Sequence, residues 1–138
     1  MMSTDELARD YLGKARIRVE MLQWLLDRKA YSDVVREAQE AVELCLKGAL
    51  RQVGIDPPKI HDVGGLVIAH ATRFPPAAAI EVESIASISK QLRKDRELAF
   101  YGDVDFVPGQ SYGEPQAREA LHQAQRVLGW TETVIPEA

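Results

Sequence analysis

The sequence predicts an all-α protein, an antiparallel up-down bundle of four long helices plus one short helix. Three observations predict it. Aromatic residues make up only 7% of the 138 residues while Ala, Leu, Glu and Arg are plentiful, a bias toward helix formers over strand formers. Apolar residues return at steps of three and four through most of the chain, the rhythm of a single helix face. Clusters rich in Pro and Gly separate those stretches. The length suits one compact domain over residues 1–138, with its core in about 4–134.

The first helix is expected to start at Ser3, followed three residues later by Glu6 as in a capping box. Leu7, Tyr11, Ala15, Val19, Leu22 and Leu26 then form a stripe that ends near Asp27. Ser32 is expected to cap the second helix, whose inward positions are Val35, Ala38, Val42, Leu46, Ala49, Leu50 and Val53. Gly54 stops that helix, and Asp56-Pro57-Pro58 breaks the chain. Asp62 can cap a short third helix, from Val63 to about Arg73, whose first turn is weakened by Gly64-Gly65. Pro75-Pro76 ends it. A fourth helix is expected from about Ala77 to Phe100, with Ile80, Ile85, Ile88, Leu92 and Ala99 inward. Gly102 to Gly113 reads as a long loop, a feature that in small domains is often functional. Pro115 opens the last helix, which runs through Ala117, Ala120, Leu121, Ala124, Val127 and Leu128 and fades near Val134.

Composition narrows the function classes. A formal charge of -4 gives no global attraction to nucleic acid or an anionic membrane, so any RNA contact must come from a local patch. The single cysteine, Cys45, rules out an intramolecular disulfide and a cysteine-based metal cage; it falls on the inner face of the second helix and is expected to be inert. His70 and His122 lack ligand spacing, so neither a metal site nor a cofactor is expected. Gly64-Gly65 lacks the lysine and repeat context of a phosphate-cradling loop. No signal-like segment and no membrane-length apolar run is seen, and a cytoplasmic location is expected.

The chemistry-bearing stretch runs from Arg93 to Asp103. Arg96 lies one turn beyond Leu92 and two beyond Ile88, on or beside the inward stripe, where an arginine needs a partner. Its planar fork of donors suits a carboxylate or a phosphate. Glu43 and Asp95 are the carboxylates in reach by sequence, although Glu43 stands four residues before Lys47 and can satisfy that instead. Lys90, Arg93, Lys94 and Arg96 together form a local basic run that is either a solvated helix end or an anion-binding patch.

Four segments in order resemble the HEPN domain family. They are Ala38-Gln39-Glu40-Ala41-Val42-Glu43-Leu44-Cys45-Leu46-Lys47, Pro58-Lys59-Ile60-His61-Asp62-Val63, Arg96 to Gly102, and Tyr112 before a final helix. The similarity runs roughly from Tyr11 to Leu128. It implies a helical bundle that forms a homodimer through the faces carrying the polar motif. It also implies a minimal nucleotidyltransferase as partner, in a toxin–antitoxin or related module, with a nucleotide or RNA as ligand. Arg96 and Tyr101 are the catalytic positions this implies, and Arg93, Arg96, Glu43, Lys47, His61 and Tyr112 the ligand-binding ones. Some members are metal-independent ribonucleases, in which an arginine stabilises charge on the phosphate and a histidine, separated from it by four to six intervening residues, moves a proton.

At that point the chain departs from the motif. Counted from Arg96, the histidine positions hold Tyr101, Gly102 and Asp103; counted from Arg93 they hold Leu98, Ala99 and Phe100. A tyrosine with an ordinary pKa near ~10 is a poor base at neutral pH. The resemblance therefore implies a nucleotide- or nucleic-acid-associated module first, and a ribonuclease toxin built on Arg96 as the alternative. Tyr101 is also the tyrosine that a partner nucleotidyltransferase would adenylylate. Tyr101 and Tyr112 can equally pack the loop against the bundle, and His61-Asp62 can simply mark a helix start.

Overall fold

A computed structural model describes residues 4–57, 59, 63–101 and 112–137. Among them six α-helices follow in order: α1 (Thr4–Asp27), α2 (Tyr31–Gln52), α3 (Val63–Ala69), α4 (Pro76–Ala79), α5 (Val82–Tyr101) and α6 (Glu114–Val134). A 3-10 turn at Ala71–Arg73 sits between α3 and α4. No strand occurs among the described residues, and the long elements are the all-α up-down bundle expected from the sequence.

The bundle is organised around α2, which packs on α1, α5, α6 and α3; α1 also packs on α6. Because α1 and α5 have no comparable contact, they lie at opposite corners, on either side of the packed α2–α6 pair. Apolar spacing explains why α2 takes the centre. Val34, Val35, Ala38, Ala41, Val42, Cys45, Leu46, Ala49 and Leu50 are all buried, a stripe wide enough for neighbours on several sides. In α6 the inward positions Ala117, Ala120 and Ala124 are small and allow close approach, while Trp130 fills the far end.

Two features secure the ends. Arg16 of α1 reaches Glu132 of α6 at 2.8 Å and Glu137 at 3.1 Å. The Trp130 indole donates to the Ala78 carbonyl at 3.0 Å and meets the edge of Phe74 at a centroid distance of 5.4 Å. That clamp holds the α3–α4 segment to the end of the bundle, and a buried indole N–H needs such an acceptor.

Several details differ from expectation, each for a physical reason. The buried line of α1 is Ala8, Leu12, Ala15, Val19, Leu22 and Leu26, whereas Leu7 and Tyr11 are half-buried. Alternating steps of four and three stay on a 3.6-residue period, while the predicted run of fours drifts off it. Ser32 does not cap α2. Lys29 adopts a left-handed φ of 61°, Ala30 N donates to Leu25 O at 3.0 Å, and the chain has reversed by Ala30, which takes the N-cap position without a side-chain bond. The predicted fourth helix is divided: Ile80 is 85% exposed in the turn between α4 and α5, and Val82 takes the buried place. The step of five from Ile80 to Ile85 had already broken the helical rhythm. The third helix likewise ends at Ala69 and continues as the 3-10 turn.

Other expectations held. Gly54, at φ 85°, ends α2 by letting Ile55 N return to Leu50 O at 2.9 Å. The Ser3 and Asp62 caps, the Ala99 side chain and residues 102–111 of the expected loop lie outside the described residues. At the start of α6, Gly113 is the N-cap, with Glu114 and Pro115 in the first turn and the Gln116 carboxamide accepting from Gly113 N at 3.0 Å.

Gly64 has a packing role. A Cβ added there would lie 3.2 Å from both the Ala86 Cα and the Ala86 carbonyl oxygen, so glycine lets α3 rest directly on the α5 backbone.

Candidate functional site

The site is built where the C-terminal half of α5 crosses the N-terminal half of α2. Arg96 is carried there by the stripe that buries Ile85, Ile88 and Leu92. Its Nη2 lies 2.9 Å from Glu40 Oε1, and each side chain is 37% exposed. The guanidinium is therefore held by one carboxylate while part of its fork remains open to solvent. Glu40 was not singled out in the sequence. The partners expected there were Glu43 and Asp95, and the helix crossing selects the residue three before Glu43 instead. Glu43 is used by Lys47, at 3.5 Å, with both side chains about a quarter exposed. Gln39, almost fully buried, donates from Nε2 to Glu43 Oε2 at 3.4 Å. Glu40, Glu43 and Lys47 follow at i, i+3 and i+7 and so share a face of α2.

Arg93 is half-buried on α5 and has an interaction partner. Asp95 is engaged locally. Its carboxylate accepts from Gln91 Nε2 at 2.9 Å, and its backbone carbonyl accepts from the Tyr112 hydroxyl at 2.6 Å. Tyr112 is buried, and its phenol is pushed above the usual tyrosine range, first by burial and then by the negative charge of Asp95. Tyr112 thus fastens the approach to α6 onto the turn of α5 that carries Arg96. Tyr101 is the last residue of α5, and its side chain lies outside the described residues, as does His61 entirely. The structure therefore brings Arg96, Tyr112, Glu43 and Lys47 onto the α2–α5 side. His70 follows α3, and the exposed His122 lies on α6.

Beside this cluster a cleft of about 310 Å³ runs between α5, the first turns of α6 and Val35 of α2. Leu92, Ala120 and Pro115 supply apolar walls, and Asp95 and Glu119 supply carboxylates. Each carboxylate accepts from an adjacent glutamine, the second through Gln123 Nε2 to Glu119 at 2.6 Å. Among the described residues none that lines the cleft is a cation. Arg96, the residue after Asp95, is not among the residues that line it.

The comparisons fit this geometry. The model of the HEPN domain matches residues 8–134. The chain belongs to the HEPN domain family. Two solved structures share the fold. TT1696 from Thermus thermophilus is 28% identical, with a TM-score of 0.75 over 91% of this chain and 95% of its own. ST0689, described as an archaeal HEPN homologue, is 24% identical, with a TM-score of 0.72 over 99% of this chain and all of its own. No curated protein matches the chain.

As a HEPN domain, the chain has the family's helical framework, and Tyr101, Gly102 and Asp103 stand where a motif histidine would be expected from Arg96. Among the described residues no group of His, Cys, Asp and Glu is arranged to hold a metal ion, and no helix is long and apolar enough to cross a membrane. Cys45 is fully buried, and burial pushes its thiol up to about 12.

Proposed function

We propose that this HEPN domain works as a homodimeric, nucleotide- or nucleic-acid-associated module beside a minimal nucleotidyltransferase, in a toxin–antitoxin or related system. One observation carries the reading: Arg96 is fixed by Glu40 yet over a third exposed. Such a pair holds a guanidinium in place for a phosphate, which can compete with or share the fork. An exposed pair of this kind is worth only about 0.2–1 kcal/mol to the fold, so stability alone is a weak account of it. Family membership supports the nucleotide setting, and the nucleotidyltransferase is the partner that the resemblance implies.

RNA cleavage would need a group that transfers a proton, typically a factor of about 10²–10⁴ in rate, and the motif positions supply no histidine for it. The reading therefore assigns the chemistry to the nucleotidyltransferase and makes Tyr101 the tyrosine that accepts an adenylyl group.

The test is affinity purification of the tagged protein from its native source, followed by ATP titration with a melting readout. A co-purifying small nucleotidyltransferase is expected, together with a nucleotide-induced rise in melting temperature that Arg96→Ala removes. A monomer that brings down no such enzyme and shows no nucleotide shift overturns the reading. RNA breakdown by wild type but not by Arg96→Ala would replace it with the ribonuclease.

A further inference from the structure

Helix α1 has a second face. Its core line is centred on Ala8, Leu12, Ala15, Val19, Leu22 and Leu26, all buried. At about 100° per residue, Ile17, Met21 and Trp24 fall on the opposite side of the same helix. They are 59%, 44% and 55% exposed, three large apolar side chains at i, i+4 and i+7. A Cβ added at Gly13, one turn earlier, would meet nothing within 4 Å, so that end of the face is open as well. An apolar strip of this kind, rimmed by charge, marks an interaction surface more often than a scatter of single residues does.

The strip has an internal order that selects its occupant. Counted from Val19, Ile17 and Met21 stand two positions to either side, Lys14 and Trp24 five, and Asp10 and Arg28 nine. All six lie within a sector of roughly 80° on the outer side of the helix. Each of these pairs is complementary: apolar with apolar, cation with indole, acid with base. The chemistry already operates within one copy, where Lys14 pairs with Asp10 at 3.2 Å and the Arg28 guanidinium lies 3.6 Å over the Trp24 ring.

We propose that this face of α1 binds a second copy of the chain, antiparallel and centred on Val19. In the pair, Ile17 packs on Met21 of the second copy, Lys14 lies against Trp24 of the second copy, and Asp10 stands opposite Arg28 of the second copy. A twofold contact requires such self-complementarity, because the same patch must serve both sides. A parallel pair would set Asp10 against Asp10 and Arg28 against Arg28, which disfavours it. One helix pair lies at the small end of specific interfaces, below about 1,200 Å², so the association is concentration-dependent. Because α1 and α5 occupy opposite corners of the bundle, this contact leaves Arg96 untouched and goes beyond the function proposed above.

The test mixes Ile17→Cys protein with Met21→Cys protein under mild oxidation; the native Cys45 is fully buried and stays silent. The mixed disulfide is expected several-fold above either self-linked species, and Trp24→Glu in both proteins is expected to abolish the excess. In parallel, sedimentation of Asp10→Arg and of Arg28→Asp is expected to show weakened association, restored in the double charge swap. Circular dichroism confirms folding, since every substituted position is exposed to solvent or half-exposed along the outside of α1 and its end. No excess of the mixed disulfide, or no rescue by the swap, overturns the proposal. Loss of nucleotide binding in Arg96→Ala would be read separately, so the two proposals fail independently.

Discussion

Arg96 Nη2 and Glu40 Oε1 are 2.9 Å apart and join α5 to α2 by a pair that is open to solvent on both sides. Its worth to the fold is limited to about 0.2–1 kcal/mol. Arg96→Ala and Glu40→Gln are therefore each expected to lower unfolding free energy by no more than about 1 kcal/mol in urea titration. A loss of ~3–5 kcal/mol, the range for breaking a buried pair, would make Arg96 a structural residue. Glu40→Gln is further expected to keep or strengthen anion binding, because it removes the competing carboxylate.

Trp130 is expected to be among the most sensitive positions. It is 3% exposed, packs edge-on to Phe74 and satisfies the Ala78 carbonyl. Trp130→Ala should cost about 3–5 kcal/mol. Trp130→Phe should keep the ring contact and lose the hydrogen bond, costing about 1–3 kcal/mol. A cost near zero for Trp130→Phe would show that the indole N–H contributes nothing.

Two glycines on helices should respond with opposite signs. Gly64→Ala places a methyl 3.2 Å from the α5 backbone, which cannot rotate away, and should destabilise by about 1–3 kcal/mol. Gly129→Ala meets nothing within 4 Å and should stabilise by about 0.5–1 kcal/mol through helix propensity alone. Thermal melts of the two variants check both signs.

Cys45 should make the fold sensitive to alkali. Its thiol has a folded-state pKa of about 12 against an ordinary 9.0, chiefly from desolvation. The folded state then holds a proton that the unfolded state releases, so this contribution is complete below pH 9 and declines as pH rises toward 12. Cys45→Ala should reduce the alkaline slope of stability by about one proton, and the native thiol should react with a disulfide reagent only as fast as the chain unfolds. Rapid labelling of folded protein at neutral pH would contradict this.

The helical framework was legible because each long helix carries its own apolar rhythm. The stripe in α2 survives almost residue for residue, and Gly54 and Pro115 punctuate as their backbone chemistry requires. Failures came where neighbours in space decide. Glu40 and Glu43 are three residues apart on one helix, and only the crossing of α5 over α2 determines which one Arg96 reaches. Ser32 looked like a cap because the left-handed turn at Lys29 leaves no mark in the sequence. Ile80 was placed inward by ignoring a step of five. Trp130 carried a usable signal, a large side chain three positions after Val127 on a running apolar stripe. Arg96 itself was found because a cation beside an inward stripe demands an explanation.

The Tyr112 hydroxyl on the Asp95 carbonyl ties two points that are seventeen residues apart in sequence. Arg96 is the next residue of α5, so the tie holds its turn of helix against the approach to α6. Adding residues between Tyr101 and Tyr112 would raise loop-closure entropy by only about 0.6 kcal/mol for each doubling of length. A longer connection after Tyr101 is therefore expected to leave the tie, and the guanidinium beside it, in place.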